Sequence, residues 1–285
     1  MSTGVTPLAA REASDTVGSE PEVLVVGAGP VGLFTALLLA RRGVRVQIID
    51  QERRPAARSY ALALHPASLR LLDAAGLADA TGVIEKGHRI DRVAFYEGEE
   101  RRVEIDLAAL PSPYPCAAVI PQQTLEGLLE SRFEQEGGRV LWHHRIAELH
   151  LGGGTAVAVL ERLSREGDAV EETRIVRPAV VVGADGHHST VRRALKASYV
   201  EMSPPELFAI FEIAADAPPL SEVRVLLDEQ GAGVLWSLGG NRFRWSFQIQ
   251  EADWEGFVEP RFKRRVFDSL GEDPFPYLVR ERLEE

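Results

Sequence analysis

The sequence predicts an α/β fold, a parallel-sheet domain interrupted by an inserted antiparallel β-sheet. Two kinds of strand pattern and one glycine cluster predict it. Residues 22–27 (EVLVVG) and 44–50 (VRVQIID) are β-branched runs of the kind that fill buried strands, and a Leu- and Ala-rich stretch of helical character separates them. Over residues 89–107, and again beyond Lys196, apolar and polar residues alternate, as they do in strands with one wet face. Between the first strand and the helix stands Gly27-Ala28-Gly29-Pro30-Val31-Gly32.

Taken in order, residues 1–20 mix Ser, Thr, Gly and Glu without an apolar run and read as a loose tail, neither signal peptide nor anchor. The helix of residues 30–42 has proline in its first turn and Gly43 at its end, and strand, helix and strand together make a right-handed crossover unit. A polar stretch (QERRPAARS) precedes a helix over 66–75 that stops at Gly76. The alternating segment 89–107 folds about Gly98 as a hairpin, an excursion out of the parallel sheet. After a proline-rich loop at 111–115, residues 121–136 form a helix with an apolar stripe of Leu125, Leu128, Leu129 and Phe133. Residues 139–143 are a strand, two or three more lie within 147–182, and 207–214, 223–227, 234–238 and 243–250 build an antiparallel sheet before a helix near 260–270. The domains expected are 21–85 with 116–196 for the parallel sheet, and 86–115 with 197–285 for the inserted sheet.

Composition excludes several classes of protein. A net charge of -11 works against a nucleic-acid groove, which needs concentrated Lys and Arg, and the excess acid reads as a solvated surface. Cys116 is the single cysteine, so no intrachain disulfide framework exists and the cytoplasm is the expected compartment. The pairs His143-His144 and His187-His188 lack the i, i+4 spacing of a metal-binding helix, so no metal is expected. The longest apolar run, 31–40, is too short to span a membrane.

The glycine cluster carries the chemistry. In a G-x-G-x-x-G that ends a strand and opens a helix, Gly27 permits the tight turn, Gly29 lets backbone approach a pyrophosphate and Gly32 lets the helix pack on the strand. Pro30 and Val31 open the helix, whose N-terminus offers unpaired N–H groups and a positive dipole end. Asp50, at the end of the second strand, can accept hydrogen bonds from both hydroxyls of an adenosine ribose and would repel a phosphate there. This Rossmann-like cradle suits FAD or NAD over NADP, and does not itself choose between the first two.

The stretch VGADGHHSTVR from Val182 to Arg192 resembles the G-A-D-G-x-x-S-x-V-R segment of the FAD-dependent aromatic hydroxylases, the para-hydroxybenzoate hydroxylase class. VIPQQTLEGLL is similar to that family's l-P-Q-x-x-L-E-x-x-L, and RSYALALHPASLRLLDAAGL to its segment after the second strand. The resemblance implies a Rossmann-like FAD-binding domain with an inserted substrate-binding sheet. It implies that Asp185 and Gly186 sit near the flavin pyrophosphate and the nicotinamide cofactor, that Gln122 contacts the flavin and that Arg58 lies against the cofactor; a two-residue shift would put Tyr60 there instead. Implied too are FAD as cofactor, NADH or NADPH as reductant, and O2-dependent hydroxylation of a small aromatic or polyketide-like molecule. A reductase or epoxidase on the same fold and a flavin-binding module without turnover are the alternatives. The family's later Gly-Asp-Ala-Ala-His-like motif does not occur before Glu285, and Gly167-Asp168-Ala169 only imitates it. No catalytic side chain is assigned, because flavin carries this chemistry and the protein supplies position and exclusion of water. His187 and His188 read as solvated loop residues, and Trp142, Trp236, Trp245 and Trp254 as core or sheet aromatics.

Overall fold

A computed structural model describes residues 20–52, 61–77, 82–152, 155–165, 167, 169–200, 202, 207–228 and 231–249. The helix expected near 260–270, Trp254, Arg58, Tyr60 and Asp168 lie outside the described residues. By proximity of its Cα atoms the chain divides into two compact units, Met1–Ala57 with Leu129–Ser198, and Arg58–Leu128 with Tyr199–Glu285.

The first unit holds the crossover. Strand β1 (Val23–Val26) leads into helix α1 (Pro30–Ala40), and the chain returns as β2 (Val46–Ile49) parallel to β1. Helix α1 buries Gly32, Leu33, Ala36 and Leu37, a stripe at helical spacing, and Gly43 leaves it at φ +75°, where glycine has no Cβ to clash. Four of the later elements belong to the second unit: β3 (Ala61–Leu64), α2 (Pro66–Asp73), the short α3 (Val83–Lys86) and β4 (His88–Ile90). The hairpin follows as β5 (Arg92–Glu97) and β6 (Glu100–Asp106), antiparallel about Gly98 at φ +59° as the sequence predicts. A turn of 3-10 helix (Leu107–Ala109) leads on to β7 (Ala117–Pro121) and α4 (Gln122–Gln135). On α4, Leu125, Leu129 and Phe133 are buried and Leu128 half-buried.

Back in the first unit, β8 (Val140–Leu141) joins the edge of the parallel sheet beside β2, two residues long where the sequence suggests five. The reason is a corner at Trp142-His143, where His143 adopts φ +60° and starts β9 (His144–Gly152). Strands β9, β10 (Thr155–Leu163) and β11 (Val170–Val176) form an antiparallel sheet in the order β11-β10-β9. Strand β12 (Val180–Gly183) returns parallel to β1, completing the order β12-β1-β2-β8, and the short α5 (Thr190–Ala194) follows. The core of this unit joins both sheets through Leu24, Val26, Ile49, Ile146, Leu160 and Val191.

The second unit contains β13 (Leu207–Ala214), β14 (Glu222–Asp228), β15 (Gly231–Gly239) and β16 (Arg242–Ile249), close to the four strands read from the alternation. They join the hairpin in one six-stranded sheet, β13-β16-β15-β14-β5-β6, whose single parallel pairing is β14 with β5. One face carries Trp245, Phe243, Phe247, Leu235 and Ile213; the other packs Val223 and Leu238 against Ile90, Ala117 and Val119 of a small antiparallel sheet, β3-β7-β4. That small sheet has no counterpart in the sequence reading, because its strands are only three to five residues long and β3 and β7 are apolar without alternation.

Candidate functional site

The C-terminal ends of β1, β2 and β12 meet at one place. Gly27 N–H donates to the Ile49 carbonyl at 2.8 Å and Ala184 N–H to the Val26 carbonyl at 2.7 Å, so the glycine turn and the Asp-Gly turn are tied side by side. A cavity of about 750 Å³ opens there, lined among others by Gly27, Asp50, Glu52, His144, Asp185 and Gly186. In open parallel sheets such carboxyl-end crevices are where ligands bind.

The three motif glycines turn out to do different things. A Cβ on Gly27, whose φ is +101°, would stand 2.3 Å from the Ala184 carbonyl oxygen, and one on Gly32 would stand 1.9 Å from the Gly27 carbonyl oxygen. Both glycines are demanded by the protein's own backbone. A Cβ on Gly29 would meet nothing within 4 Å. No described atom of the protein requires glycine there, which is the fit expected of a cradle for a bound group. Gly29 is the N-cap of α1 and offers no side-chain hydrogen bond, Pro30 follows in the first turn and no acidic residue lies in that turn. The first-turn N–H groups of α1 therefore have no side-chain cap and favour an anion. Val31, 71% exposed, lies on the outside of the turn.

Asp50 is fixed before any ligand arrives. Its Oδ2 accepts from Ala28 N–H at 2.6 Å, inside the glycine turn, and its Oδ1 from Glu52 N–H at 2.8 Å. Each oxygen keeps a second lone pair, so the carboxylate can still accept from a pair of vicinal hydroxyls. One residue thus braces the turn and faces the cavity.

The D-G-x-x-S spacing has a similar double explanation. Asp185 Oδ1 accepts from the Ser189 hydroxyl at 2.5 Å, and Oδ2 from the N–H groups of Thr190 and Val191 at 2.6 and 3.2 Å. Ser189 in turn accepts from Arg192 N–H at 2.9 Å as the N-cap of α5. Gly186, at φ +72°, makes the turn that lets Asp185 reach forward. Arg192, the arginine of the motif, donates to the His187 carbonyl at 2.6 Å, while it is Arg193, held to Thr190 Oγ1 at 2.9 Å, that lines the cavity. His187 and His188 are exposed, with rings 4.8 Å apart, and His188 also lines the cavity.

Gln122 stands at the start of α4 in the second unit, where its amide donates to Glu126 Oε1 at 2.7 Å; Glu126 is itself buried. Gly27, Asp50, Asp185 and Gly186 are therefore brought together around one cavity, and Gly29, Pro30, Val31 and Gly32 open the helix that begins beside it.

The far wall of the cavity is the residue set that the sequence did not disclose. Strand β9 supplies His144, Arg145, Ile146 and Ala147, with Arg145 paired to Glu161 at 2.8 Å. Backbone bonds set this wall against β2: Asp50 N–H donates to the Leu141 carbonyl at 3.0 Å and His144 N–H to the Asp50 carbonyl at 2.8 Å. His144 is half-buried, and its Nδ1 lies 2.7 Å from the Trp142 carbonyl. Burial holds its pKa below the ordinary histidine value; the bond to Trp142 opposes that and the nearby Arg174 and Arg162 reinforce it.

Among the described residues, no helix is long and apolar enough to cross a membrane, and no group of three or more His, Cys, Asp or Glu is placed to hold a metal ion.

Known proteins agree with this geometry. The FAD binding domain family matches residues 20–282. The chain is 35% identical over 177 residues, 61% of its length and 30% of the relative's, to the 6-methylpretetramide 4-monooxygenase of Streptomyces rimosus. It is 30% identical over 280 residues to the 3-(3-hydroxy-phenyl)propionate/3-hydroxycinnamic acid hydroxylase of Mycobacterium sp. (strain KMS), covering 95% of this chain and 46% of that protein. The chain thus spans less than half the length of these curated relatives. Among solved structures, P. aeruginosa PqsL in complex with 2-aminobenzoylacetate superposes with a TM-score of 0.73 at 26% identity, over 87% of this chain and 67% of that one. The p-nitrophenol 4-monooxygenase PnpA of Pseudomonas putida DLL-E4 shares the fold, with a TM-score of 0.76 at 22% identity over 88% and 63% of the two chains. A matched span of nearly the whole chain settles the family: the chain belongs to the FAD binding domain family, with FAD as its cofactor.

Proposed function

We propose that this chain is the flavin-holding part of an FAD-dependent monooxygenase that uses NADH or NADPH and O2 to hydroxylate a small aromatic or polyketide-like molecule in the cytoplasm. The observation that carries the reading is the cavity at the ends of β1, β2 and β12, where Gly27, Asp50, Asp185 and Gly186 meet in a chain with hydroxylase and monooxygenase relatives. In this reading residues 21–85 and 116–196 hold the cofactor and residues 86–115 and 197–285 present the substrate sheet.

The residues divide the work as follows. Asp50 accepts from the ribose hydroxyls, Gly29 with Pro30, Val31 and Gly32 at the start of α1 receives the pyrophosphate against uncapped N–H groups, and Asp185 and Gly186 line the cavity beside the glycine turn. Gln122 and Arg58 are assigned to the cofactor by the family resemblance of their segments. FAD, when bound, would supply the redox chemistry of a hydroxylation that consumes NADH or NADPH and O2 and releases water. The protein binds, orients and excludes water, and none of its side chains is assigned a proton-transfer step.

The test is direct. Purified protein supplemented with FAD should show bound-flavin absorbance and consume NADH or NADPH faster when an electron-rich phenol is added. Protein that stays colourless in excess FAD would sink the cofactor half of this proposal, and bound flavin with no substrate-stimulated oxidation of either reductant would sink the activity half.

A further inference from the structure

The part of the cavity lining supplied by β9 carries a half-buried imidazole that nothing in the cradle requires. His144 follows the corner at His143, lines the cavity and sits next to Asp50 through the 2.8 Å backbone bond. Its Nδ1 is 2.7 Å from the Trp142 carbonyl, an oxygen that can only accept, so Nδ1 carries the ring hydrogen. In the neutral ring Nε2 is then a bare acceptor, and no described residue donates to it. We propose that His144 discriminates the base of the bound dinucleotide, its Nε2 accepting a hydrogen bond from the exocyclic amine of adenine.

The logic is donor against acceptor. A ribose held by Asp50 places its base next to the residues that flank Asp50, and the first of these on β9 is His144. Adenine presents an amine where hypoxanthine and guanine present a carbonyl oxygen. Facing Nε2, the amine completes a hydrogen bond and the carbonyl sets two acceptors against each other, so the wrong base loses a bond and leaves a polar atom unmatched. Burial, which keeps the imidazole neutral, keeps that acceptor available.

This inference rests on the dinucleotide reading of the cavity, and the experiment separates the two. Equilibrium binding of ADP, IDP and FAD is measured by calorimetry on the wild type, H144F and H144Q, with thermal melting to establish that each variant is folded. H144F keeps a ring of similar size and removes the acceptor. The wild type should prefer ADP to IDP by roughly tenfold, and H144F should bring the two within about threefold by weakening ADP. H144Q, whose amide can present oxygen or nitrogen, should bind both diphosphates within about threefold of each other. Equal affinity of the wild type for ADP and IDP, or a preference that survives in folded H144F, overturns the role of His144 and leaves FAD binding standing. Absence of binding by ADP, IDP and FAD alike to the wild type overturns both.

Discussion

The glycine turn of the first unit and the six-stranded sheet of the second are specified in opposite ways. At residues 27–32 the sequence works by removing atoms: a single methyl group on Gly27 or Gly32 would stand 2.3 or 1.9 Å from a backbone oxygen that cannot move far, since that backbone directly follows β12 or belongs to the turn itself. The sheet works by adding them, with Trp245, Phe243, Phe247, Leu235 and Ile213 filling one face. Many sets of apolar residues could fill that face to similar density, and cores tolerate such exchange when volume is kept. A backbone constraint admits one residue type and leaves a motif; a packing constraint admits many and leaves only a pattern.

The largest effect should come from breaking the backbone constraint. Gly32→Val places side-chain carbons inside van der Waals contact of the Gly27 carbonyl, so the turn, the start of α1 and the β1–β12 junction must all shift. We expect a loss of more than about 3 kcal/mol and a fall in Tm on the order of 10 °C, or no soluble protein. Phe247→Leu, in the sheet, should cost about 1–1.5 kcal/mol and a few degrees. Thermal melting of the two variants side by side checks the contrast, and equal losses would remove it.

Next in size, Gly29→Val isolates what the ligand demands from what the fold demands. Among the described residues nothing stands within 4 Å of a Cβ there, and the Gly29 backbone is at φ -69°, open to any residue. Tm of the ligand-free protein should change by less than about 2 °C while FAD affinity falls about a hundredfold, because the side chain fills the space through which the backbone meets the pyrophosphate. Fluorescence titration of FAD reads the second quantity. A variant that binds FAD as the wild type does would show that the pyrophosphate lies elsewhere.

The sheet has its own polar joint, smaller in effect and sensitive to pH. Glu222, on β14, is 4% exposed beneath the parallel pairing with β5. It accepts from Arg101 at 2.6 Å, from Arg224 at 2.8 Å and from the Tyr96 hydroxyl at 3.2 Å. Burial works to raise its pKa, but the bond to Arg224, the charges of Arg224 and Arg101 and the Tyr96 bond together outweigh it and hold the carboxyl below the ordinary value. A carboxyl depressed by folding contributes stability that is fully present above its unfolded pKa, about 4.3, and is lost as pH falls through the lower folded value. Glu222→Gln should therefore lower Tm by a few degrees at pH 7, and the difference from wild type should shrink below pH 4. FAD affinity should change little, because Glu222 is not among the residues that line the cavity. A gap in Tm that stays constant from pH 7 to pH 3 would count against the ionic origin.

How much was legible follows from the same contrast. The parallel unit, the hairpin about Gly98 and the cavity residues Gly27, Asp50, Asp185 and Gly186 could be read because each depends on a residue type that few others replace. The separate duties read for Gly29 and Gly32 have separate physical grounds, since the clash at Gly32 is with the protein's own backbone and no described atom crowds Gly29. The small sheet β3-β7-β4 escaped because ALAL and AAVIP carry no period, and its partners lie far apart in sequence. The wall formed by His144 to Ala147 escaped for a different reason. It depends on a corner that any short loop could have made, and histidine's enrichment at positive φ is too weak to announce φ +60° at one position.

That corner yields the smallest and most diagnostic effect. His143 N–H donates to the Glu52 carbonyl at 3.1 Å and its own carbonyl accepts from Leu163 N–H at 2.7 Å, so both of its backbone groups are committed while the residue is held in the left-handed region. Such a conformation costs a non-glycine residue about 1–3 kcal/mol, and glycine removes that cost while adding about 0.5–1 kcal/mol of unfolded-chain entropy. His143→Gly should thus raise Tm by about 1–3 °C, and His143→Val, whose branched side chain tolerates this region worst, should lower it by more than that. If the corner also sets the base-facing wall, His143→Val should weaken FAD binding several-fold and His143→Gly should not, although neither removes an atom from the cavity lining. Glycine and valine variants with the same FAD affinity would mean that β9 finds its place against Asp50 without the corner, through the His144 N–H bond alone.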